Sequence, residues 1–227
     1  SRRGAYARFK DLLDRHGLTC HSTHEFSMPG PGLEKELEAL AAIGIRYARF
    51  PLPGVEPPGR GAAQGRGGAA GSGAPAGAAR GRGPGGAGIA GMVETHEMMK
   101  RTAADLNRQG AIARRFGMKA LYHNHTTEFQ RYPGESLLPY EVLLAETDPD
   151  LVAMEIDLGW AAVAGHDIPA MFRAHPGRFE LWHVKDAFGI RHLTPAMNQL
   201  ERRANIMLVP VGQGDVTCWP GSSADER

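Results

Sequence analysis

The sequence predicts an α/β fold around a parallel sheet, and a (β/α)8 barrel in preference to a doubly wound sheet. Three observations carry this reading. Helical and strand-like segments alternate along the 227 residues, the pattern of a parallel sheet with crossover helices. Polar residues gather where the strands should end, the face on which a barrel builds its active site. No strand-like segment leads into the G-x-G-x-x-G turn that a dinucleotide-binding doubly wound sheet would want.

The elements follow in order. Tyr6 to His16 carries apolar Phe9, Leu12 and Leu13 among charges and ends at Gly17, which reads as an amphipathic helix with a left-handed cap. Leu18 to Thr23 reads as a short strand. Leu33, Leu37, Leu40 and Ala41 recur at helical spacing up to Gly44, and Ile45 to Phe50 is rich in β-formers. Glu94 to Phe116 is a long helical pattern closed by Gly117, and Met118 to His125 is strand-like. Leu137 to Glu146 and Ile168 to His175 then read as helices, with Leu151 to Asp157 and Phe179 to Val184 as the strands after them.

Between these halves, Pro58 to Gly91 is nearly all Gly, Ala, Arg and Pro, with no acid and no aromatic residue, and cannot bury a core. It divides the chain into a barrel part (1–53), a low-complexity insert (54–93), a second barrel part (94–219) and a short tail (220–227). A flexible insert is one reading, and an Arg-Gly-rich nucleic-acid-binding segment is another, though it lacks aromatics to stack on bases. We favour a frameshifted stretch of a GC-rich gene, because the codons of these four amino acids begin with two G or C letters. An intact single frame on resequencing would sink that idea.

Bulk properties narrow the function classes. A formal charge of +1 gives no overall field for nucleic acid or an acidic membrane surface. Cys20 and Cys218 stand far apart without a C-x-x-C pattern, so neither a disulfide framework nor a cysteine zinc site is indicated, and a reducing, cytoplasmic setting is expected. No apolar run approaches the roughly 18 to 20 residues that cross a bilayer. The chain does not begin with Met, so it is expected to start inside a longer gene product.

Three strand ends carry the chemistry. In Leu121 to Phe129, strand alternation would put His123 and His125 on one side and Tyr122 and Asn124 on the other. Two imidazoles with Glu128 just beyond suit a divalent ion, against the blander alternative of hydrogen-bonded core histidines. Asn124-His125-Thr126 also matches a glycosylation sequon, a common chance motif. In Met154 to Trp160, Glu155 and Asp157 share a side. A carboxylate ending an apolar strand wants a cation, a metal or a helix N-terminus, and Asp157 as a plain helix N-cap is the alternative. Leu181 to Asp186 presents His183, Lys185 and Asp186 at a third strand end.

Tyr122-His-Asn-His, Glu128-Phe, Glu155-Ile-Asp-Leu-Gly-Trp160, Ala164-Gly, His175-Pro-Gly-Arg178, His183-Val-Lys-Asp186 and Val211-Gly-Gln-Gly-Asp215 together resemble the sugar phosphate isomerase/epimerase branch of the xylose isomerase-like barrels. The resemblance covers Tyr6 to Pro53 and Glu94 to Trp219. It implies a divalent metal (Mn, Mg, Co or Zn), with Asp157 and His183 matching metal ligands. His123 falls where related epimerases place their first glutamate, which leaves the first ligand open among His123, His125 and Glu128. Lys185 and Trp160 would line the substrate pocket, with His24 at its edge, and a plain core role for Trp160 carries equal weight. A metal on the hydroxyl and carbonyl oxygens of a sugar would stabilise an enediolate once a base, Glu128 or another pocket carboxylate, removes the carbon-bound proton. Proton return isomerises or epimerises; loss of hydroxide dehydrates. Dimers or tetramers are also implied, with a small sugar or polyol as substrate and neither nucleic acid nor membrane as partner.

Against the family, strands one, two and eight are missing, and so is the last metal-binding glutamate. The chain is therefore expected to be an inactive or incomplete product of a metal-dependent sugar isomerase/epimerase or related keto-polyol dehydratase. The alternatives are a non-catalytic remnant or sugar-binding barrel and, less favoured, an endonuclease acting on abasic DNA. An open barrel edge would be exposed to mispairing.

Overall fold

A computed structural model describes residues 2–23, 32–50, 96–131 and 134–216. The expected insert, the tail and His24 at the pocket edge lie outside the described residues.

Five strands, β1 (Ser22–Thr23), β2 (Tyr47–Arg49), β3 (Lys119–His123), β4 (Val152–Asp157) and β5 (Phe179–His183), pair in chain order and all in parallel. Helices punctuate them: α1 (Arg2–Arg15) before β1, α2 (Leu33–Ala42) before β2, α3 (His96–Arg114) before β3, α4 (Pro139–Glu146) before β4, and α5 (Leu158–Ala164) with α6 (Ile168–Ala174) before β5. A doubly wound sheet reverses its strand order at a switch point; this sheet does not. It is an arc of a (β/α)8 barrel, the partial TIM barrel that the alternation predicts.

The core explains why each element forms. Leu37 and Leu40 of α2, Met99, Ala103 and Leu106 of α3, and Tyr140 and Leu143 of α4 pack on Ala48, Ala120, Tyr122, Val152, Met154 and Ile156 of the sheet. The even-numbered residues of β3 and β4 therefore face the helices, and their odd-numbered neighbours His123, Glu155 and Asp157 face the barrel interior. All six residues of β4 are buried, as a strand flanked on both edges and both faces must be. On the edge strand β5, burial alternates, with Trp182 60% exposed. Helix α3 crosses the start of β4 so closely that a Cβ at Gly110 would collide with the Leu151 carbonyl, which only glycine avoids.

Two strand boundaries differ from the sequence reading. Strand β1 is confined to Ser22–Thr23, and β3 stops at His123 instead of reaching His125. Past His123 the backbone leaves the ladder for a 3-10 turn, Thr127–Phe129. The His125 N–H donates to Glu128 Oε1 (2.9 Å), a local side-chain acceptor that competes with the sheet. After β5 the chain forms an unanticipated antiparallel hairpin, β6 (Asp186–Phe188) with β7 (Met207–Val209), and α7 (Gln199–Ala204) lies between them. Asp186 fastens this unit: its carboxylate accepts from the backbone N–H groups of Ala187, Gly212, Gly214 and Val216. Among the described residues no helix is long and apolar enough to cross a membrane.

Candidate metal centre

Register brings the polar strand ends together. His123 sits opposite Glu155, and Asp157 opposite His183. One donor atom from each of His123, Asp157 and His183 lies within 4.8 Å of the others. His123 Nε2 is 3.5 Å and His183 Nδ1 is 3.6 Å from Asp157 Oδ2. His123 Nδ1 meets Glu155 Oε2 at 3.1 Å. An ionised Glu155 accepts from Nδ1–H, which leaves the Nε2 lone pair facing the Asp157 side, the carboxylate–histidine arrangement that orients metal-binding imidazoles.

The two oxygens of Asp157 do different work. Oδ1 accepts from Trp160 N (2.9 Å) and caps α5, while Oδ2 faces both histidines and the Lys185 ammonium at 2.5 Å. The helix-cap and cation-partner readings of Asp157 thus both hold, one on each oxygen. Burial pushes the Asp157 carboxyl above the usual carboxylate range, and the Lys185 charge and hydrogen bond pull against it, with smaller help from Trp160 N and His123. Asn124, fully buried, ties the two strand ends by accepting from Asp157 N at 2.9 Å. Two imidazole nitrogens and a buried carboxylate oxygen, with one imidazole already oriented, fit a divalent ion such as Mn, Co or Zn.

The remaining expected residues divide. His125 is outside the converging group: its ring lies edge-on to that of His123, centroids 5.1 Å apart. Burial first, then the charges of His123, Arg49, Lys185 and Arg203, push its pKa down to about 3, so it is a neutral imidazole. Its Nδ1 is buried and, among the described residues, has no hydrogen-bond partner. Lys185 is on the centre through Asp157. Trp160, 9% exposed, packs with Val163 and Ala187, and its indole takes Lys185 Nζ at 5.2 Å and the Arg203 guanidinium at 5.0 Å from the ring centroid. It is a core residue that also touches Lys185.

Glu128, expected as a pocket base, is tied into the turn after β3. Its carboxylate accepts from Tyr122 OH (2.9 Å), His125 N (2.9 Å) and Thr127 Oγ1 (3.1 Å), and it is fully buried. Tyr122 faces the helices, packed near Tyr140, so Glu128 is on the far side of β3 from the His123 imidazole. Burial raises its pKa, with hydrogen bonds from the His125 and Glu128 backbone N–H groups and from Tyr122 and Thr127 opposing.

Sequence reasoning left Glu155 without a role and passed over Asn124 and Arg203. Alternation from Asp157 already placed Glu155 inward; nothing local could have brought Arg203 of α7 onto Trp160 of α5. A cavity of ≈ 260 Å³ lined by Lys10, Asp14, Cys20, His21 and Arg46 lies beside α1 and the segments leading into β1 and β2, the opposite end from these strand termini.

No protein-family model matches the chain. Among curated proteins it is similar to inosose dehydratases: 37% identical over 81 residues to that of Lactiplantibacillus plantarum, covering 36% of this chain and 26% of the relative. To that of Mesomycoplasma hyopneumoniae strain J it is 32% identical over 131 residues, covering 56% and 42%. The chain thus spans less than half the length of these relatives. Among solved structures, a sugar phosphate isomerase/epimerase from Parabacteroides distasonis superposes with a TM-score of 0.54 at 22% identity, over 85% of this chain and 60% of that one. A xylose isomerase domain protein from Planctomyces limnophilus superposes with a TM-score of 0.50 at 13% identity, over 94% and 68%.

The fold is that of the xylose isomerase-like TIM barrels. The half-barrel carries its His123/Asp157/His183 group at the C-terminal strand ends, where barrels of this architecture place their chemistry.

Proposed function

We propose that the chain forms the metal-binding half of an enzyme that enolises a keto sugar or keto-polyol, with loss of water as the outcome. The observation that carries the reading is the convergence of His123, Asp157 and His183 at three adjacent strand ends, with Lys185 on the shared carboxylate. The sequence reading put isomerisation and epimerisation first. The curated relatives at 32–37% identity are inosose dehydratases, which moves dehydration ahead of them.

His123, Asp157 and His183 would hold the metal, which when bound acts as a Lewis acid on substrate oxygens and steadies negative charge beside the carbonyl. Glu155 holds the His123 ring in place, and Asn124 and Trp160 N fix Asp157. The Lys185 ammonium, set at the centre by Asp157 Oδ2, is the proton donor for a departing hydroxyl. The neutral His125 ring stands edge-on to His123 beside the centre. The indole of Trp160 closes one side against water.

Isomerisation or epimerisation is the second reading, favoured by the shared first step, proton removal next to a carbonyl. The two separate in one experiment: manganese-loaded chain with an inosose in deuterated water, followed by proton NMR and ultraviolet absorbance. Water loss with a new conjugated chromophore supports dehydration. Deuterium at the carbon next to the carbonyl without water loss supports isomerisation or epimerisation. Neither, with metal stoichiometrically bound, refutes both for this substrate class.

A further inference from the structure

Asp157 Oδ2 serves more than one cation site. The oxygen faces His123 Nε2 at 3.5 Å and His183 Nδ1 at 3.6 Å, and it accepts from Lys185 Nζ at 2.5 Å. A divalent ion held by these imidazoles would contact the same oxygen at roughly 2.0–2.2 Å, so ion and ammonium would stand within about 5 Å of each other. Three positive charges in so small and buried a space repel strongly. Asp157 is not placed to relieve this. Its side chain is wholly buried, its Oδ1 caps α5, and its backbone N–H donates to Asn124. Nor can it stand alone, since a buried carboxylate without a cation is costly. The lysine differs, because its side chain is 23% exposed and has a way outward. Its place is nonetheless built into the fold. One turn, Asp157 to Trp160, clasps it: a Cβ at Gly159 would come within 2.6 Å of Lys185 Cβ, and the Trp160 ring centroid lies 5.2 Å from Nζ. Gly159 lies inside α5, so no left-handed backbone calls for glycine there; the approach of Lys185 does.

We propose that Lys185 is the resident counter-ion of this centre: its ammonium holds Asp157 Oδ2 when no divalent ion is bound and gives the oxygen up when one binds. The proposal rests on the reading of His123, Asp157 and His183 as a metal centre and adds how that centre is kept intact and how its affinity is set. The lysine keeps the buried carboxylate charged and in place while competing with the metal for it. Its release couples the two parts of the chemistry, because the ammonium becomes free for a substrate hydroxyl only once the metal is seated.

The test is calorimetric titration with manganese of the parent chain, Lys185→Met and Lys185→Arg. Lys185→Met removes the competing charge and should bind manganese about tenfold or more tightly, whereas Lys185→Arg keeps the charge and should not. Because Lys185→Met also strips a buried carboxylate of its cation and can fail to fold, a second measurement uses the unmodified chain. Trace acylation of its amines, read by peptide mass spectrometry, should label Lys185 several-fold faster with manganese than without, relative to the exposed Lys100. Manganese uptake by Lys185→Met but not by the parent would also support the proposal. Equal or weaker binding in folded Lys185→Met overturns it, as does a matching gain in Lys185→Arg, which would point to packing and not charge. So does Lys185 labelling that manganese leaves unchanged in a parent chain that binds it; in these cases the metal centre itself stands. If neither the parent nor Lys185→Met takes up manganese, the metal-centre reading falls and the proposal with it.

Discussion

Replacing Glu128 tests whether this carboxylate holds the fold or does chemistry. Glu128→Ala removes the acceptor used by Tyr122 OH, His125 N–H and Thr127 OH and leaves a void in a fully buried site. Stranding buried donors costs about 1–3 kcal/mol each, so the variant should lose about 3 kcal/mol or more. With a urea slope near 2 kcal/mol per molar, the unfolding midpoint should fall by about 1.5 M. Glu128→Gln keeps an acceptor oxygen for Tyr122 and His125, offers an NH2 to Thr127 Oγ1 and removes a buried charge; it should stay within about 1 kcal/mol of the parent. The two proteins should then diverge with pH. Burial raises the Glu128 pKa above its ordinary value of 4.5, so the unfolded chain loses this proton first. Its stabilising contribution is complete below about that ordinary value and is lost as pH rises through the higher folded value. The parent should therefore lose stability relative to Glu128→Gln over that window. A Gln variant as unstable as the Ala variant would refute the argument. So would one that folds and binds metal normally yet loses turnover, because Glu128 would then act at the centre and not behind β3.

Other substitutions probe the centre and its scaffold. Glu155→Gln should weaken manganese binding about 10- to 100-fold by releasing the His123 ring, whereas the Asp157→Ala/His183→Ala pair should abolish it; elemental analysis after dialysis distinguishes them. Asp186→Ala withdraws an acceptor from four backbone N–H groups, so hydrogen exchange at Gly212, Gly214 and Val216 should speed up while the five-stranded sheet keeps its protection. Gly110→Ala forces α3 off the Leu151 carbonyl and should cost about 1–3 kcal/mol in urea unfolding; a neutral result would mean that the helix shifts freely on β4.

Much of the barrel was legible in the sequence because its signals are local. Apolar residues recur at helical spacing in α2 and α3, and β4 reads as an apolar run broken by Glu155 and ending in a carboxylate. Parallel strands must be separated by crossovers, so the alternation itself fixes the class. The boundaries of β3 were less legible. Alternation assigned His125 to the ladder, but Glu128 captures its N–H, and a side chain three residues away outcompetes a neighbouring strand without leaving a mark on hydrophobic periodicity. The same turn carries Glu128 behind the sheet, which no spacing rule could reveal.

The sequence by itself determined which residues stand at strand ends, and hence that His123, Asp157 and His183 were candidates for one site. Register in a parallel sheet depends on how helices pack across it, so only the tertiary structure decided that His123 faces Glu155 and that Asp157 faces His183. It also decided that Asp157 divides its two oxygens between a helix cap and the cation side, and that Arg203 returns from α7 onto Trp160. The reason is physical: strand-end identity is written in local period and composition, whereas a charge's partner is chosen by the fold that brings distant segments within a few ångströms of it.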